Sequence, residues 1–448
     1  MKLTFYGGAK SVTGTCYLLE DKQVKILIDC GLVQGSRVAE KENYKPFSFN
    51  PKEINYVFIT HGHLDHVGRL PKLYRDGFRG LIFGTYPTRD FSELILYDSQ
   101  SILEREAKSM RTKTIYKESD IRGVMELFHG CDYGEKIKLN GNLTLNFKDA
   151  GHILGSAIIE VSFGDKKIVF SGDLGNPSSS ILKSTEWVEG ADYLIMESLY
   201  GDRLYNGNNK KIVLERILED IIGKGGVIMI PAFAIERTQE ILYELNELVE
   251  NRRIPRIPVF LDSPLSIEAT AIYKRYSYYY NESAKDLIKS GDALFNFPGL
   301  RLTRTKQESM SINDAPAPKV IIAGSGMMEG GRIWHHLRRY LPDNKNVLLV
   351  VSYQAPGSLG RRLLDGAQEI EIFNEKIPVR ASVQKIDGYS AHADQQQLLN
   401  FARQAKKGLK KVFLTQGEES ASRVLASLIQ DNLGVEAIVP GIGDIFNL

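Results

Sequence analysis

The sequence predicts an α/β fold in which a domain of short strands is interrupted by an inserted α/β domain. Three observations lead to this prediction. Short apolar runs of β type alternate with turn signals over the first 200 residues. Alternating strand-like and helix-like segments replace them in the middle of the chain. The short-strand pattern then returns from about residue 379 onward.

The first third supplies short strands and one long helix. The β-type runs cover residues 3–6, 24–28, 54–60, 143–147, 157–163 and 167–170. Several of them end in a polar residue beside a glycine, an arrangement typical of enzymes that place functional side chains at strand ends. Apolar residues recur with helical spacing over 90–111 and 211–222, so we expect helices there.

The middle third has a different pattern. Buried-strand signals occur at 225–231, 258–262, 319–323 and 346–352, and helix-favouring stretches occur at 237–245, 266–273 and 336–340. Regular alternation of this kind predicts a parallel sheet with crossover helices. No internal repeat or low-complexity tract interrupts it.

The charge balance excludes attraction of nucleic acid by a positive field of the whole molecule. The 448 residues include 57 basic and 55 acidic side chains, which leaves a net charge of +2, so local patches would have to supply any attraction. The three cysteines, Cys16, Cys30 and Cys131, have no CxxC spacing and predict a reducing compartment. No segment resembles a signal peptide or a membrane span. We therefore expect a cytoplasmic protein that does not bind membranes.

The strongest chemical signal is the run of residues 61–66, His-Gly-His-Leu-Asp-His. Three of the eight histidines lie in these six positions, between a predicted strand and a predicted helix. Gly62 allows the backbone to turn so that His61 and His63 can converge. Imidazoles and a carboxylate such as Asp65 are the ligands that zinc and related metals prefer. The run therefore predicts a metal site.

Three further residues support this prediction. Asp29, His152 and Asp173 each follow a predicted strand and stand beside or near a glycine. Each of them alone would be interpreted as an ordinary turn residue. Together with the 61–66 run they indicate one site assembled from several strand ends.

The ordered set of Asp29, the 61–66 run, His152 and Asp173 resembles the metallo-β-lactamase superfamily. Segments 196–203, 231–240, 324–336 and 389–395 narrow the resemblance to the β-CASP branch, which is similar to the endonuclease of mRNA 3′-end cleavage and its bacterial and archaeal relatives. The resemblance covers nearly the whole chain. It implies an αββα metallo-β-lactamase sandwich formed by residues 1–205 and 380–448, with an inserted β-CASP domain at 206–379.

The resemblance also implies roles for individual residues. His61, His63 and His152 would hold a first Zn²⁺, Asp65 and His66 a second, and Asp173 would bridge the two. Asp29 would orient a ligand histidine without touching metal. Glu197 would pair with His392, which would contact the scissile phosphate and help to protonate the leaving oxygen. Asp65, Asp173, Glu197 and His392 are thus the expected catalytic residues. Two metals activate water and compensate charge in phosphodiester hydrolysis.

Position 416 departs from the family pattern. RNA-cleaving members carry a histidine there that binds the second metal, and DNA-acting members carry valine, whereas this chain has Gln416. An amide oxygen is a poorer zinc ligand than imidazole. Three interpretations stay open: an engineered substitution that weakens catalysis, a second site that is weak by nature, and a protein of reduced activity.

Glycine-rich turns of the inserted domain are candidates for binding substrate phosphate through backbone N–H groups. The candidate residues are Ser325, Arg237, Arg332, Gly357, Ser358 and Arg361. The combined features predict a zinc-dependent ribonuclease, acting as an endonuclease, a 5′-to-3′ exonuclease or both in RNA processing or decay. A DNA nuclease of the same superfamily and an RNA-binding pseudoenzyme are the alternatives. By resemblance we also expect a homodimer.

Overall fold

A computed structural model describes residues 1–35, 37–139, 143–205, 209–355 and 357–448. The strands are β1 (Lys2–Gly7), β2 (Cys16–Glu20), β3 (Lys25–Ile28), β4 (Tyr56–Phe58), β5 (Leu81–Thr85), β6 (Phe128–Cys131), β7 (Ile137–Lys138), β8 (Leu143–Asp149), β9 (Ala157–Phe163), β10 (Lys166–Phe170), β11 (Tyr193–Glu197), β12 (Val227–Pro231), β13 (Val259–Asp262), β14 (Leu300–Leu302), β15 (Lys319–Ala323), β16 (Val347–Val350), β17 (Glu369–Ile372), β18 (Glu375–Pro378), β19 (Ser382–Lys385), β20 (Lys411–Thr415), β21 (Glu436–Ile438) and β22 (Ile445–Asn447).

The α-helices are α1 (Arg37–Glu40), α2 (Leu64–Val67), α3 (Leu70–Arg75), α4 (Tyr86–Met110), α5 (Glu118–Leu127), α6 (Lys210–Lys224), α7 (Arg237–Glu250), α8 (Pro264–Arg275), α9 (Glu282–Lys289), α10 (Lys306–Ser311), α11 (Ile333–Tyr340), α12 (Leu359–Leu364), α13 (Gln395–Gln404) and α14 (Glu419–Leu433). Short 3₁₀ helices cover Lys41–Tyr44, Pro51–Glu53 and Ser277–Tyr279. Helix α4 matches the predicted helix at 90–111, and α6 matches that at 211–222. No helix of the described residues has both the length and the apolar character required to cross a membrane.

The chain divides into two compact units. The first unit comprises Met1–Pro177, Lys183–Leu204 and His392–Leu448, and the second comprises Ser178–Leu182 and Tyr205–Ala391. The predicted domain boundaries at 205/206 and 379/380 stay predictions, and residue 206 itself lies outside the described residues. The second unit continues past residue 379 because β19 pairs in parallel with β16.

The first unit contains two sheets, in the strand orders β22-β1-β2-β3-β4-β5-β6 and β21-β20-β11-β10-β9-β8-β7. Successive side chains of a strand point to opposite faces of its sheet. Ile26 of β3 accordingly packs between the two sheets, whereas its neighbour Leu27 packs with α3 and α5 on the outer face. Helices α13 and α14 cover the outer face of the second sheet. These four layers are the predicted αββα sandwich, which is confirmed.

The second unit contains a six-stranded sheet in the order β14-β13-β15-β12-β16-β19, in which every pair is parallel. The four strands predicted in the middle third correspond to β12, β13, β15 and β16. The predicted inserted α/β domain is therefore confirmed. Strands β14 and β19 lie at the two edges of the sheet, where few apolar residues are needed, and the sequence pattern did not indicate them.

Candidate metal centre

The candidate ligands of the first unit all follow strand ends. His61 and His63 come after β4, with Asp65 and His66 in the short helix α2; His152 follows β8, Asp173 follows β10, and Glu197 is the last residue of β11. Strands β10 and β11 are parallel, and β8 has the same direction because it is antiparallel to β9, which is antiparallel to β10. The carboxyl ends of these strands therefore share one edge of the sheet.

Four side chains converge on one point at this edge. His63 Nδ1 lies 3.0 Å from His61 Nε2 and 3.3 Å from His152 Nε2. Asp173 Oδ2 lies 3.5 Å from His61 Nε2 and also 3.5 Å from His152 Nε2. Zinc–nitrogen bonds of about 2.0–2.1 Å in a tetrahedron separate ligand atoms by about 3.3–3.4 Å. The four distances are close to that spacing, and the ligand atoms of the four residues all lie within 4.8 Å of one another.

The protonation states of this group suit metal binding. Burial lowers the pKa of His61 well below its usual value and that of His63 to about 4, so both imidazoles keep a lone pair available at neutral pH. Burial alone would raise the pKa of Asp173, but the neighbouring imidazoles of His66 and His61 outweigh it and hold that pKa well below its usual value. His61 and His63 therefore offer neutral nitrogens, and Asp173 offers an ionised carboxylate.

Asp29 fixes the orientation of His66 from behind. Asp29 Oδ2 lies 2.7 Å from His66 Nδ1 and also accepts a hydrogen bond from the Thr60 hydroxyl, while Oδ1 accepts one from the Thr60 backbone N–H. All three residues are fully buried. The bond to Nδ1 leaves His66 Nε2 facing Asp173, at 3.4 Å from its Oδ1. Asp29 therefore contacts His66 directly, and its role in orienting a metal ligand stays a prediction.

The predicted second metal site is less complete. His66 Nε2 lies 3.8 Å from Asp65 Oδ2. Burial lowers the pKa of His66, but the carboxylates of Asp173, Asp29 and Asp65 outweigh it and raise that pKa well above its usual value, so this region favours positive charge. Among the described residues, only the group of His61, His63, His152 and Asp173 brings three or more histidine, cysteine or acidic ligand atoms together.

Gln416 occupies the side of this region where the family pattern has histidine. Its Nε2 donates a hydrogen bond to Asp173 Oδ1 and lies 3.0 Å from His66 Nε2. The backbone of Gln416 is left-handed, with φ +50°, and its N–H donates to the Gly8 carbonyl at 2.6 Å. The amide nitrogen therefore contacts the same two atoms that a second metal would need.

Glu197 and His392 form a pair beside the first group. His392 Nδ1 lies 3.4 Å from each oxygen of Glu197, and Glu197 Oε1 accepts a hydrogen bond from the Leu174 N–H at 2.5 Å. His392 Nδ1 is 4.0 Å from Asp173 Oδ2. Burial would lower the pKa of His392, but the charge and hydrogen bond of Glu197 outweigh it and raise that pKa to about 10.

Two neighbours of the centre were not predicted. The Thr60 hydroxyl lies 3.1 Å from His61 Nδ1 and 3.2 Å from His66 Nδ1, in addition to its bond with Asp29. The ring of Tyr200 lies edge-on to His392, with centroids 6.0 Å apart. Thr60 is the last residue before the 61–66 run, and that adjacency is the signal by which it could have been found.

The residues predicted to bind phosphate lie in the second unit. They differ in whether their donor groups already have hydrogen-bond partners in the fold. Arg237 is buried at the start of α7; its Nη2 contacts Glu236, and its Nε and Nη1 have no hydrogen-bond partner among the described residues. Arg332 donates instead to Asp262 and to the carbonyls of Thr303 and Arg304. Arg332 is thus tied into the fold, whereas Arg237 retains donors.

The remaining candidates belong to two loops. The Ser325 hydroxyl accepts a hydrogen bond from the Glu329 N–H in the loop after β15. Ser358 caps α12 by accepting from the Arg361 N–H, and the Arg361 side chain pairs with Asp365 at 2.9 Å. Gly357 has a left-handed φ of +85° and open space where a side chain would project. The roles of these residues in binding phosphate stay predictions.

Three family models match the chain in succession. They are the metallo-beta-lactamase superfamily domain at residues 18–200, the Beta-Casp domain at 238–363 and the Zn-dependent metallo-hydrolase RNA specificity domain at 376–440. The candidate ligands from His61 to Asp173 lie within the first match, and His392 and Gln416 lie within the third.

Several relatives match over nearly the whole chain. "Ribonuclease TTHA0252" of Thermus thermophilus is 37% identical over 96% of this chain and 96% of its own length. "RNase J-like protein" of Methanocaldococcus jannaschii is 33% identical over 99% of both chains. "Transcription termination factor FttA" of Methanosarcina mazei is 32% identical over 97% of this chain and 70% of its own length.

Proposed function

The chain belongs to the β-CASP family of the metallo-β-lactamase superfamily, and on this premise we propose that it is a metal-dependent ribonuclease. It would hydrolyse RNA phosphodiester bonds as an endonuclease, a 5′-to-3′ exonuclease or both, in cytoplasmic RNA processing or decay. The observation that carries the proposal is the convergence of His61, His63, His152 and Asp173 beside the Glu197–His392 pair.

The donor set supports zinc as the metal. Three imidazole nitrogens and a carboxylate oxygen that all lie within 4.8 Å of one another are ligands that zinc accepts. When bound, such a metal activates water at neutral pH and compensates charge on the phosphoryl oxygens. His61, His63 and His152 would hold it, and the ionised Asp173 would offset part of its charge.

The Glu197–His392 pair would supply the proton. Because Glu197 faces Nδ1 of the imidazole, the pair keeps His392 cationic at neutral pH. A cationic imidazole attracts a phosphate oxygen and can donate a proton to the leaving alkoxide. Glu197 itself would act through His392, because it is fully buried and held by the Leu174 N–H.

A second zinc ion would bind more weakly than the first. Asp65, His66 and Asp173 create a region that favours positive charge. The amide of Gln416, however, already hydrogen-bonds Asp173 and contacts His66, and it offers at best a neutral oxygen as a ligand. A metal would have to displace these contacts, and this cost weakens its binding.

RNA is the favoured substrate for two reasons. The relatives that match the full length carry the names ribonuclease and RNase J-like protein. The C-terminal match is to a domain described by RNA specificity, and it contains both His392 and Gln416. A homodimer is retained as part of the proposal, to be tested by light scattering after gel filtration.

The test combines metal analysis with cleavage of end-labelled RNA and DNA of the same sequence. We expect bound zinc, cleavage of RNA in preference to DNA, and loss of both zinc and cleavage in His63→Ala. The control is His335→Ala, which removes an exposed histidine of the second unit. Cleavage of DNA alone would establish the DNA-nuclease alternative, and RNA binding without cleavage would establish the pseudoenzyme. Full activity in His63→Ala would refute the metal site itself.

A further inference from the structure

Two aromatic rings are exposed at the carboxyl edge of the parallel sheet in the second unit. Phe233 follows β12 and is 41% exposed, and Tyr353 follows β16 and is 42% exposed. Because β12 and β16 are neighbouring parallel strands, both rings belong to the same edge of the sheet. Single exposed aromatic side chains are common on protein surfaces and need no function. Here, however, two exposed rings follow adjacent strands, at the edge where open α/β sheets bind ligands, and this position points to a binding surface.

One glycine, Gly326, lies against the Phe233 ring and bonds the two residues that flank Tyr353. Gly326 lies in the loop after β15, the other neighbour of β12, and a Cβ atom there would approach the Phe233 ring to 3.0 Å. The Gly326 carbonyl accepts hydrogen bonds from Gln354 Nε2 at 2.9 Å and from the Ser352 hydroxyl at 3.3 Å. Tyr353 stands between these two residues, so Gly326 holds both aromatic positions together.

The backbone of Phe233 is fixed as well. Its carbonyl accepts hydrogen bonds from the hydroxyl of buried Thr238 at 2.7 Å and from the Thr238 N–H at 3.3 Å. A ring on a fixed backbone loses little conformational entropy when a ligand covers it.

The surroundings indicate a nucleotide rather than an apolar ligand. Gly330 and Gly357, in the two loops that flank Phe233, have open space where side chains would project, so a phosphate can approach their backbone N–H groups. Aromatic faces beside anion donors are the combination by which proteins bind single-stranded nucleic acid.

We propose that Phe233 and Tyr353 form a nucleobase-stacking platform for single-stranded RNA. The proposal rests on the ribonuclease function proposed above and adds the subsite that receives the bases. Each ring would stack on one base face, and the platform would tolerate all four bases because every base offers a π-face. The platform would act on substrate affinity and not on the chemical step.

The test measures binding and turnover separately. Binding is followed by the fluorescence of a phosphorothioate-linked RNA oligonucleotide that carries 2-aminopurine, which is quenched on stacking, and turnover by kcat and KM on unmodified RNA. Phe233→Ala should weaken binding and raise KM by about 5- to 150-fold, the range of one aromatic–base stack. The value of kcat should stay unchanged, because such a contact stabilises substrate and transition state equally. Tyr353→Ala should behave in the same way.

Matched variants separate stacking from apolar contact and from damage to the fold. Phe233→Leu keeps an apolar side chain without a π-face and should lose most of the affinity, whereas Phe233→Trp should keep it. Tyr278→Ala removes another exposed aromatic ring of the second unit, 55% exposed, and should change nothing. Moving an abasic site along the RNA should find one position where wild-type affinity falls and Phe233→Ala affinity does not fall further.

The outcomes distinguish this proposal from the proposed function. Normal RNA affinity in both Phe233→Ala and Tyr353→Ala, with cleavage retained, would refute the platform and leave the ribonuclease intact. Quenching that depends on Phe233 in a protein that cleaves no RNA would support the platform and refute the hydrolytic function. An equal loss from Tyr278→Ala, or full binding by Phe233→Leu, would also refute stacking. Insensitivity to the abasic site would indicate a protein partner as the natural occupant of these rings.

Discussion

The two units place opposite kinds of chemistry at the carboxyl edges of their sheets. In the first unit this edge carries ionisable side chains that are buried and joined to one another, such as Asp173, His61 and His66. In the second unit it carries open glycines and the exposed rings of Phe233 and Tyr353. The second unit also buries ionisable side chains, and they bond one another within the fold, as His336 does with Asp262 at 2.7 Å.

The two edges differ in how exactly their side chains must be positioned. Bond-making chemistry depends on the position of a few atoms, so the first unit fixes His61 and His66 by a second polar contact, to Thr60 and Asp29 respectively. Recognition of a polymer of variable sequence depends on surfaces that accept many ligands. Backbone donors and aromatic faces serve that purpose without exact positioning.

The largest expected effect is that of His392→Ala, which should abolish most of the cleavage activity and leave metal binding unchanged. We expect His392→Ala to lower kcat on RNA by about 10²- to 10⁴-fold, the usual contribution of a general acid. Zinc content should stay unchanged, because His392 Nδ1 faces Glu197 and lies outside the group of four converging ligands. Stopped-flow cleavage and metal analysis on the same sample provide the measurement. The control, His129→Ala, removes an exposed histidine from β6 of the first unit. Loss of zinc together with activity would show that His392 is a ligand and would contradict the assignment.

Asp29→Asn should weaken the centre without removing a ligand. The variant keeps the shape of the side chain but loses the charge that orients His66 and bonds Thr60. Substitution of a residue that hydrogen-bonds a metal ligand typically lowers metal affinity by about 10- to 100-fold. We expect a loss of this size at the weaker site, measured by competition with a chelator. Asp21→Asn, which changes an aspartate in a surface turn, is the control. Unchanged zinc affinity at both sites would show that Asp29 serves only the fold.

The placement of the centre could be predicted because its signals are local. His61, His63, His152 and Asp173 each follow a β-type run and stand beside or near a glycine, and the structure places each of them just after a strand. For Thr60 the only signal in the sequence is its position next to the 61–66 run, because its hydroxyl contacts to Asp29, His61 and His66 appear only when the chain is folded.

The second unit shows which features the sequence could not reveal. Arg332 stands in a glycine-rich turn that predicts phosphate binding, but its partner Asp262 is 70 positions away in the chain. Strand β19 is short and mostly exposed, so only its pairing with β16 identifies it. Phe233 looked like an ordinary apolar residue of a motif, and its exposure depends on the loop around Gly326. Such contacts between distant segments leave no periodic pattern.

Gln416→His should raise the zinc affinity of the weaker metal site toward that of the stronger one. An imidazole in place of the amide adds a ligand of the type zinc prefers and removes the amide hydrogen bond to Asp173. We expect zinc content to rise toward two ions per chain and RNA cleavage to rise by about 10-fold, the lower end of what small changes around a metal achieve. Gln416→Leu removes the amide without adding a ligand and should not raise either quantity. No change in zinc content or cleavage with histidine would refute the account of this position.

The buried charges of the second unit should affect stability and not chemistry. Glu244 on α7 is buried, accepts a hydrogen bond from the Tyr389 hydroxyl and lies 3.6 Å from Lys210. Burial outweighs the attraction of Lys210 and raises the pKa of Glu244 from its ordinary 4.5 to about 7. Below pH 4.5 the carboxyl is protonated in the folded and the unfolded chain. Between pH 4.5 and 7 the unfolded chain loses this proton while the folded chain retains it, so this group's contribution to the free energy of unfolding falls as pH rises.

Glu244→Gln removes this titration and keeps an oxygen that can accept from Tyr389. The difference in melting temperature between the variant and the wild type should therefore shift in favour of the variant between pH 5 and pH 8, by about 5–10 °C, which corresponds to about 2.5 kcal/mol. Glu247→Gln, on the same helix but paired with Lys211 at the surface, controls for the loss of one carboxylate. Parallel melting curves for Glu244→Gln and wild type over this range would mean that the folded carboxyl is already ionised at pH 5. Lys210 would then compensate its burial fully, and the second unit would hold its charges as tightly as the first.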